Sequence, residues 1–114
     1  MIAVIFQVEM TEQGMPRYLE IAASLKPELE AIDGFISVER FQSLSQPGKL
    51  LSLSFWRDEA AVKAWRTLAH HRAAQEAGRG SVFRDYRLRV AQVIRDYGRA
   101  ERAEAPADSR EWHG

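Results

Sequence analysis

Cysteine is absent from the 114 residues, which excludes a disulfide framework, a thiolate nucleophile and any cysteine metal site. An excess of charge of one sign is absent too. Sixteen basic and sixteen acidic residues cancel, so the broad positive field that favours polyanions or anionic membranes is missing. Neither a nucleic acid nor a membrane is expected as a partner. Long apolar runs are lacking as well. Met1 to Phe6 carry no basic leader and are too short to span a bilayer, which reads as no signal peptide and no membrane span and makes the cytoplasm the expected compartment. No Gly-x-Gly-x-x-Gly or phosphate loop occurs, Gly78-Arg79-Gly80 being too short, which argues against a nucleotide cofactor. With no His-x-x-x-His pair and no carboxylate cluster in a loop, no bound metal and no other cofactor is expected.

What is there is an ordinary globular composition, 46% hydrophobic and 28% charged, in a length that suits one compact domain. Ile2 to Glu9 is short, β-branched and apolar on both alternating sets, the mark of a central strand. Apolar residues then recur at Met15, Tyr18, Leu19, Ala22, Leu25, Leu29 and Ile32 with helical spacing. Pro16 suits the first turn of that helix, Pro27 predicts a kink or break, and Gly34 marks its end. Phe35 to Leu44 and Leu50 to Arg57 alternate as strands around the turn cluster Ser45-Gln46-Pro47-Gly48, a hairpin. Asp58 is placed to cap a second helix running through Ala77, with Gly78 and Gly80 stopping it. Tyr86 to Ile94 has strand periodicity again.

The order β-α-β-β-α-β predicts a ferredoxin-like α+β domain, a four-stranded antiparallel sheet with two helices on one face. Residues 1–97 form that domain and residues 98–114 a polar tail that contributes no core, though Trp112 offers a possible anchor. The second sheet face is left bare. Leu51, Leu53 and Phe55 on one side of the third strand and Leu50 and Trp56 on the other leave an apolar patch that monomers rarely expose. The economical cover is a second copy, so a homodimer is expected. The topology is shared with RNA-recognition domains, but the third strand lacks their glycines, and RNA binding is not expected.

Chemistry-bearing residues concentrate on the second helix. Trp65 lies on its apolar stripe with Ala61, Val62, Leu68 and Ala69; it suits a core position, or a place where a flat ligand stacks against the ring. His70 and His71 are separated by about 100° of helical rotation and cannot share one cavity. Helical phase turns His71 inward, where a pKa near neutrality suits a general base. Arg72 falls near the stripe's centre, either paired with Glu76 or Asp85 or holding an anionic substrate. Arg87 and Arg89 share one face of the last strand and are expected to pair across the dimer.

The element order, the strand ending Leu53-Ser54-Phe55-Trp56, and the stretch Trp65-Arg66 through His70-His71-Arg72-Ala73-Ala74-Gln75, Gly78-Arg79 and Phe83-Arg84-Asp85-Tyr86 together resemble the antibiotic biosynthesis monooxygenases. The resemblance covers residues 1 to about 97 and implies a dimeric α+β barrel with a pocket between helices and sheet in each subunit. It implies oxidation of an anthrone or quinol by O₂ without an added cofactor, or, in other relatives, haem cleavage. Trp65 aligns with the helix tryptophan those relatives share, and His71 stands where anthrone-oxidising relatives carry a tyrosine. Ala61 replaces their asparagine, while Gln7 and Gln75 stand where haem-cleaving relatives have asparagine and histidine. On this resemblance the catalytic candidates are His71, Trp65 and Arg72, and the substrate-binding candidates Gln7, Trp56, Phe83 and Tyr86. The reading is a monooxygenase acting on a small electron-rich aromatic. Its alternative is a non-catalytic dimeric module that shelters a small apolar ligand in stress responses; a ligand-sized cavity lined by His71 and Trp65 distinguishes the two.

Overall fold

A computed structural model describes residues 1–76 and 83–109, and side chains at 1–68 and 84–109. The elements follow the expected order: β1 (Ile2–Met10), α1 (Gly14–Glu30), β2 (Phe35–Gln42), β3 (Lys49–Trp56), α2 (Glu59–Glu76) and β4 (Phe83–Gln92). They build one sheet of order β2-β3-β1-β4 in which every neighbouring pair is antiparallel. This is the ferredoxin-like α+β fold. The last strand starts three residues earlier than apolar alternation predicts, because backbone pairing with β1 continues to Met10 opposite Phe83. Hydrogen-bond ladders need no apolar side chains.

Both helices lie on one side of the sheet. Val4 and Trp56 pack with Leu29 of α1 and with Ala61 and Val62 of α2, while Val8, Met10 and Leu50 pack with Tyr18. Trp56 is fully buried and its indole N–H donates to Ser54 Oγ at 2.9 Å, so the one polar atom of a large core ring is satisfied. Leu19 falls off the buried stripe and is exposed, since Tyr18 and Ala22 already face the sheet. Asp58 caps α2 as expected, its Oδ1 accepting from Ala61 N–H at 3.0 Å.

Pro27 does not break α1. The helix runs on through it to Glu30: the proline lacks its own donor, but its carbonyl still accepts from Ala31 N–H at 3.3 Å, and Leu29 beyond it is anchored in the core. Gly34 turns the chain into β2 with φ +94°, a left-handed conformation that favours glycine. A Cβ there would meet Ala61 Cβ at 2.8 Å. The turn is thus pressed directly against α2.

Beyond β4 the described part of the polar tail makes specific contacts. Val93 N–H donates to Met1 O, and Arg102 holds the following loop by donating to Gly98 O and Ser109 O while lying 5.4 Å from the centre of the Tyr97 ring. Ala105 is buried. One arginine with several donors organises the segment where apolar periodicity is absent. Trp112 and the glycines at 78 and 80 lie outside the described residues.

Candidate functional site

Register decides which residues share a face. On β1 and β4, Val4 opposes Val90, Phe6 opposes Leu88 and Val8 opposes Tyr86, so all six side chains stand on the helix side. α1 lies against β2, and α2 against β1 and β3. The β1 members Val4 and Val8 are buried, whereas Tyr86, Leu88 and Val90 are exposed. The result, among the described residues, is an exposed apolar shelf along the edge strand. Phe6 and Tyr86 meet there with ring centroids 5.9 Å apart and planes tilted by 56°. Trp65 is half-buried on α2 and packs against Trp56 at 6.2 Å. A shelf of this kind can hold a small apolar molecule by area, with the Tyr86 hydroxyl as a polar contact.

The sequence-derived candidates separate accordingly. Tyr86 is on the shelf, and Trp65 is partly accessible from the helix side. Trp56 cannot touch a ligand, because it is wholly enclosed between α1, α2 and the sheet, with Phe35 edge-on at 5.3 Å. Gln7 faces away from Trp65. Strand alternation puts it with Ala3, Ile5 and Glu9 on the opposite side of the sheet, where its Oε1 accepts from Arg89 Nη1. His71 and Arg72 have helical backbone in α2, and the backbone of Phe83 pairs opposite Met10; the side chains of all three lie outside the described residues. Phe6, Leu88 and Val90 were not singled out from the sequence. The alternation of Tyr86, Leu88 and Val90 with Arg87 and Arg89 carries the signal, and its apolar half marks this surface.

The helix-free side of the sheet has its own character. Ile5, Leu51, Leu53 and Phe55 form a half-buried apolar centre. A groove of about 310 Å³ is lined there by Gln7, Glu9, Lys49, Asp85, Tyr86, Arg87 and Arg89, and a second of about 280 Å³ extends from Gln7 toward Phe41 and Lys49. Both are polar or mixed and neither touches Trp65. A half-buried pair on the helix side was also missed: Arg40 Nε donates to Tyr18 Oη at 3.4 Å with its guanidinium 5.9 Å from the ring centre. Among the described residues, no three His, Cys, Asp or Glu side chains are placed to hold a metal ion, and no helix is long and apolar enough to cross a membrane.

Comparison with known proteins gives this geometry a family. The antibiotic biosynthesis monooxygenase profile matches residues 1–77. The chain belongs to that family. It is 56% identical over 93 residues to a jasmonate monooxygenase of Pyricularia oryzae, a match covering 82% of this chain and 43% of the relative. An uncharacterised Bacillus subtilis protein is 36% identical over 62 residues, covering 54% of this chain and 53% of that one. The chain spans about half the length of each of these relatives. Among solved structures, an antibiotic biosynthesis monooxygenase from Deinococcus radiodurans superposes with TM-score 0.72 at 15% identity, covering 86% of this chain and 97% of that one. A Mycobacterium tuberculosis protein does so with TM-score 0.70 at 16% identity, covering 85% and 98%. At such identities the structural neighbours speak to the fold, and family membership supports monooxygenase chemistry.

Proposed function

We propose that the chain is a monooxygenase that works as a homodimer and takes a small apolar carboxylate of the jasmonate class on the shelf formed by Phe6, Tyr86, Leu88 and Val90. The observation that carries this reading is the uncovered helix-side apolar surface of β4, in a chain 56% identical over 93 residues to a jasmonate monooxygenase. Substrate burial against these side chains supplies affinity. His71, farther along the helix that carries Trp65, is proposed as the proton acceptor and Arg72 as the cation facing the substrate's anionic group. Trp65 is proposed to stack at the end of the site.

A monooxygenase places one atom of O₂ in its substrate and reduces the other to water, which takes two electrons. An anthrone or quinol supplies both electrons itself as it is oxidised, so no added cofactor is needed. Hydroxylation at a saturated carbon of a jasmonate requires a separate two-electron donor. The aromatic contact of Phe6 with Tyr86 favours a planar ring as a second reading. The two substrates therefore differ in a measurable requirement.

The test is oxygen uptake and product mass for wild-type and His71→Ala protein, offered a jasmonate or a panel of hydroquinones and anthrones, each with and without a two-electron donor. Donor-dependent gain of one oxygen by the jasmonate, lost in the variant, is the expected result. Donor-independent turnover of the aromatics transfers the assignment to them. Calorimetric binding with no turnover under any condition overturns the enzymatic reading and leaves a small-molecule-binding module.

A further inference from the structure

On the helix side of the sheet the core divides in two, and one rung runs between the halves. Arg40, Ser52, Phe6 and Leu88 lie in register across β2, β3, β1 and β4. On one side of Phe6, Val4 belongs to the buried cluster of Trp56 and Leu29; on the other, Val8 belongs to that of Tyr18 and Leu50. The rung between them has no fully buried side chain. Arg40, Ser52 and Phe6 are half-buried and Leu88 is exposed. Phe6 is therefore more accessible than either valine flanking it, although all three share one face of a central strand.

This seam holds a single cation. The rungs on either side, from Val38 to Val90 and from Gln42 to Tyr86, carry no charged side chain. Arg40 Nε donates to Tyr18 Oη at 3.4 Å, and its guanidinium lies 5.9 Å from that ring's centre. One donor of five is thereby used. Among the described residues no Asp or Glu forms an ion pair with Arg40, whereas a cation drawn partly out of water is ordinarily matched by an anion. The two-pronged guanidinium fits a carboxylate in particular. From Arg40, Phe6 lies two strand spacings away and Leu88 three, about 10 and 14 Å. A molecule resting its apolar body on Phe6 and Leu88 thus has its other end over Ser52, on the path to the guanidinium.

Resting on the shelf reading above, we propose that Arg40 is the residue that selects a carboxylate substrate and sets its direction in the site. The substrate lies along the middle rung, with its apolar part toward β4 and its carboxylate toward β2. Arg40 donates to that carboxylate from its terminal nitrogens, and Tyr18 positions the guanidinium through Nε. Arg40 stands on the sheet and acts in addition to Arg72 of α2.

Calorimetric binding of jasmonate and of its uncharged methyl ester is measured for wild type, Arg40→Gln, Arg40→Met, Arg40→Lys and Leu88→Ala. Wild type is expected to bind the acid at least about tenfold more tightly than the ester, equivalent to about 1.4 kcal/mol. Both neutral variants are expected to lose that preference by weakening the acid alone; methionine keeps an apolar stem in place should the glutamine variant fail to fold. Lysine returns the charge without the planar fork and is expected to recover part of the preference, a rescue that a merely structural arginine does not give. Leu88→Ala is expected to weaken acid and ester alike. A wild type that binds neither ligand overturns the shelf reading and this proposal with it. A wild type that binds both equally, or neutral variants that weaken both alike, overturns the role of Arg40 and leaves the shelf standing.

Discussion

Val4 and Val90 face each other in register on the same side of the sheet, yet Val4 is 1% exposed and Val90 46%. Val8 and Tyr86, the pair at the other end, are 1% and 63% exposed. Neighbouring strands with the same alternation thus end in different environments. The cause is coverage: among the described residues the helices rest chiefly on β2, β3 and β1, and the apolar side chains of β4 stay exposed. One region is core and rewards close packing, whereas the other keeps hydrophobic area available to a ligand.

Truncation should separate the two regions most strongly. Trp56→Ala removes a wholly buried ring and the donor held by Ser54, and is expected to cost about 3–5 kcal/mol in urea unfolding. Leu88→Ala, on the shelf, is expected to cost less than about 1 kcal/mol in the same assay. Equal losses would abolish the distinction. Gly34→Ala ranks next. It demands a positive φ of a residue with a Cβ and drives that atom to 2.8 Å from Ala61, so a loss of about 1–3 kcal/mol and a lower melting temperature are expected.

Much of this architecture was legible in the sequence because periodicity reports burial. The six elements, the cap at Asp58 and the turn at Gly34 each follow from spacing or from one residue's backbone chemistry. Tolerance of Pro27 was not legible, since what offsets the missing donor is the burial of Leu29 beyond it, a tertiary contact. The site was legible only in fragments. Trp56 and Trp65 look alike as aromatic residues, and only the packing of both helices reveals that one is sealed and the other half-open. Gln7 was separable in principle: its odd-numbered alternation with Ala3, Ile5 and Glu9 opposes it to Val4 and Phe6, but which set faces the helices is a tertiary fact. The tail's order rests on hydrogen bonds from Arg102, which leave no periodic trace.

The shelf can also be tested by function. Leu88→Asp puts a charge where a ligand would lie and leaves the covered core intact. It is expected to lower kcat/KM at least about tenfold, about 1.4 kcal/mol of binding, with unfolding within about 1 kcal/mol of wild type. Turnover unchanged by this substitution would move the site away from β4.

The smallest effect belongs to the rim of the covered region, where Arg57 at the end of β3 joins the turn after α1 to the start of α2. Its guanidinium donates to both Asp33 carboxylate oxygens at 3.1 Å and to Asp58 Oδ2 at 2.9 Å. Arg57 hydrogen bonds hold both carboxyls below the usual carboxylate range, and at Asp58 the Ala61 backbone N–H adds to the effect. A carboxyl whose folded pKa is depressed contributes stability above its unfolded pKa of about 3.9 and loses it as pH falls through the lower folded value. The cluster is largely open to solvent, so its contribution is small and screened by salt. Wild type should therefore exceed Arg57→Gln slightly in urea midpoint at neutral pH and low salt, with the gap closing under acid. Because Asp58 still accepts from Ala61 in the variant, some acid sensitivity should persist there. A variant with none would mean that the cap on α2 contributes nothing, and that the covered region is held by its apolar contacts alone.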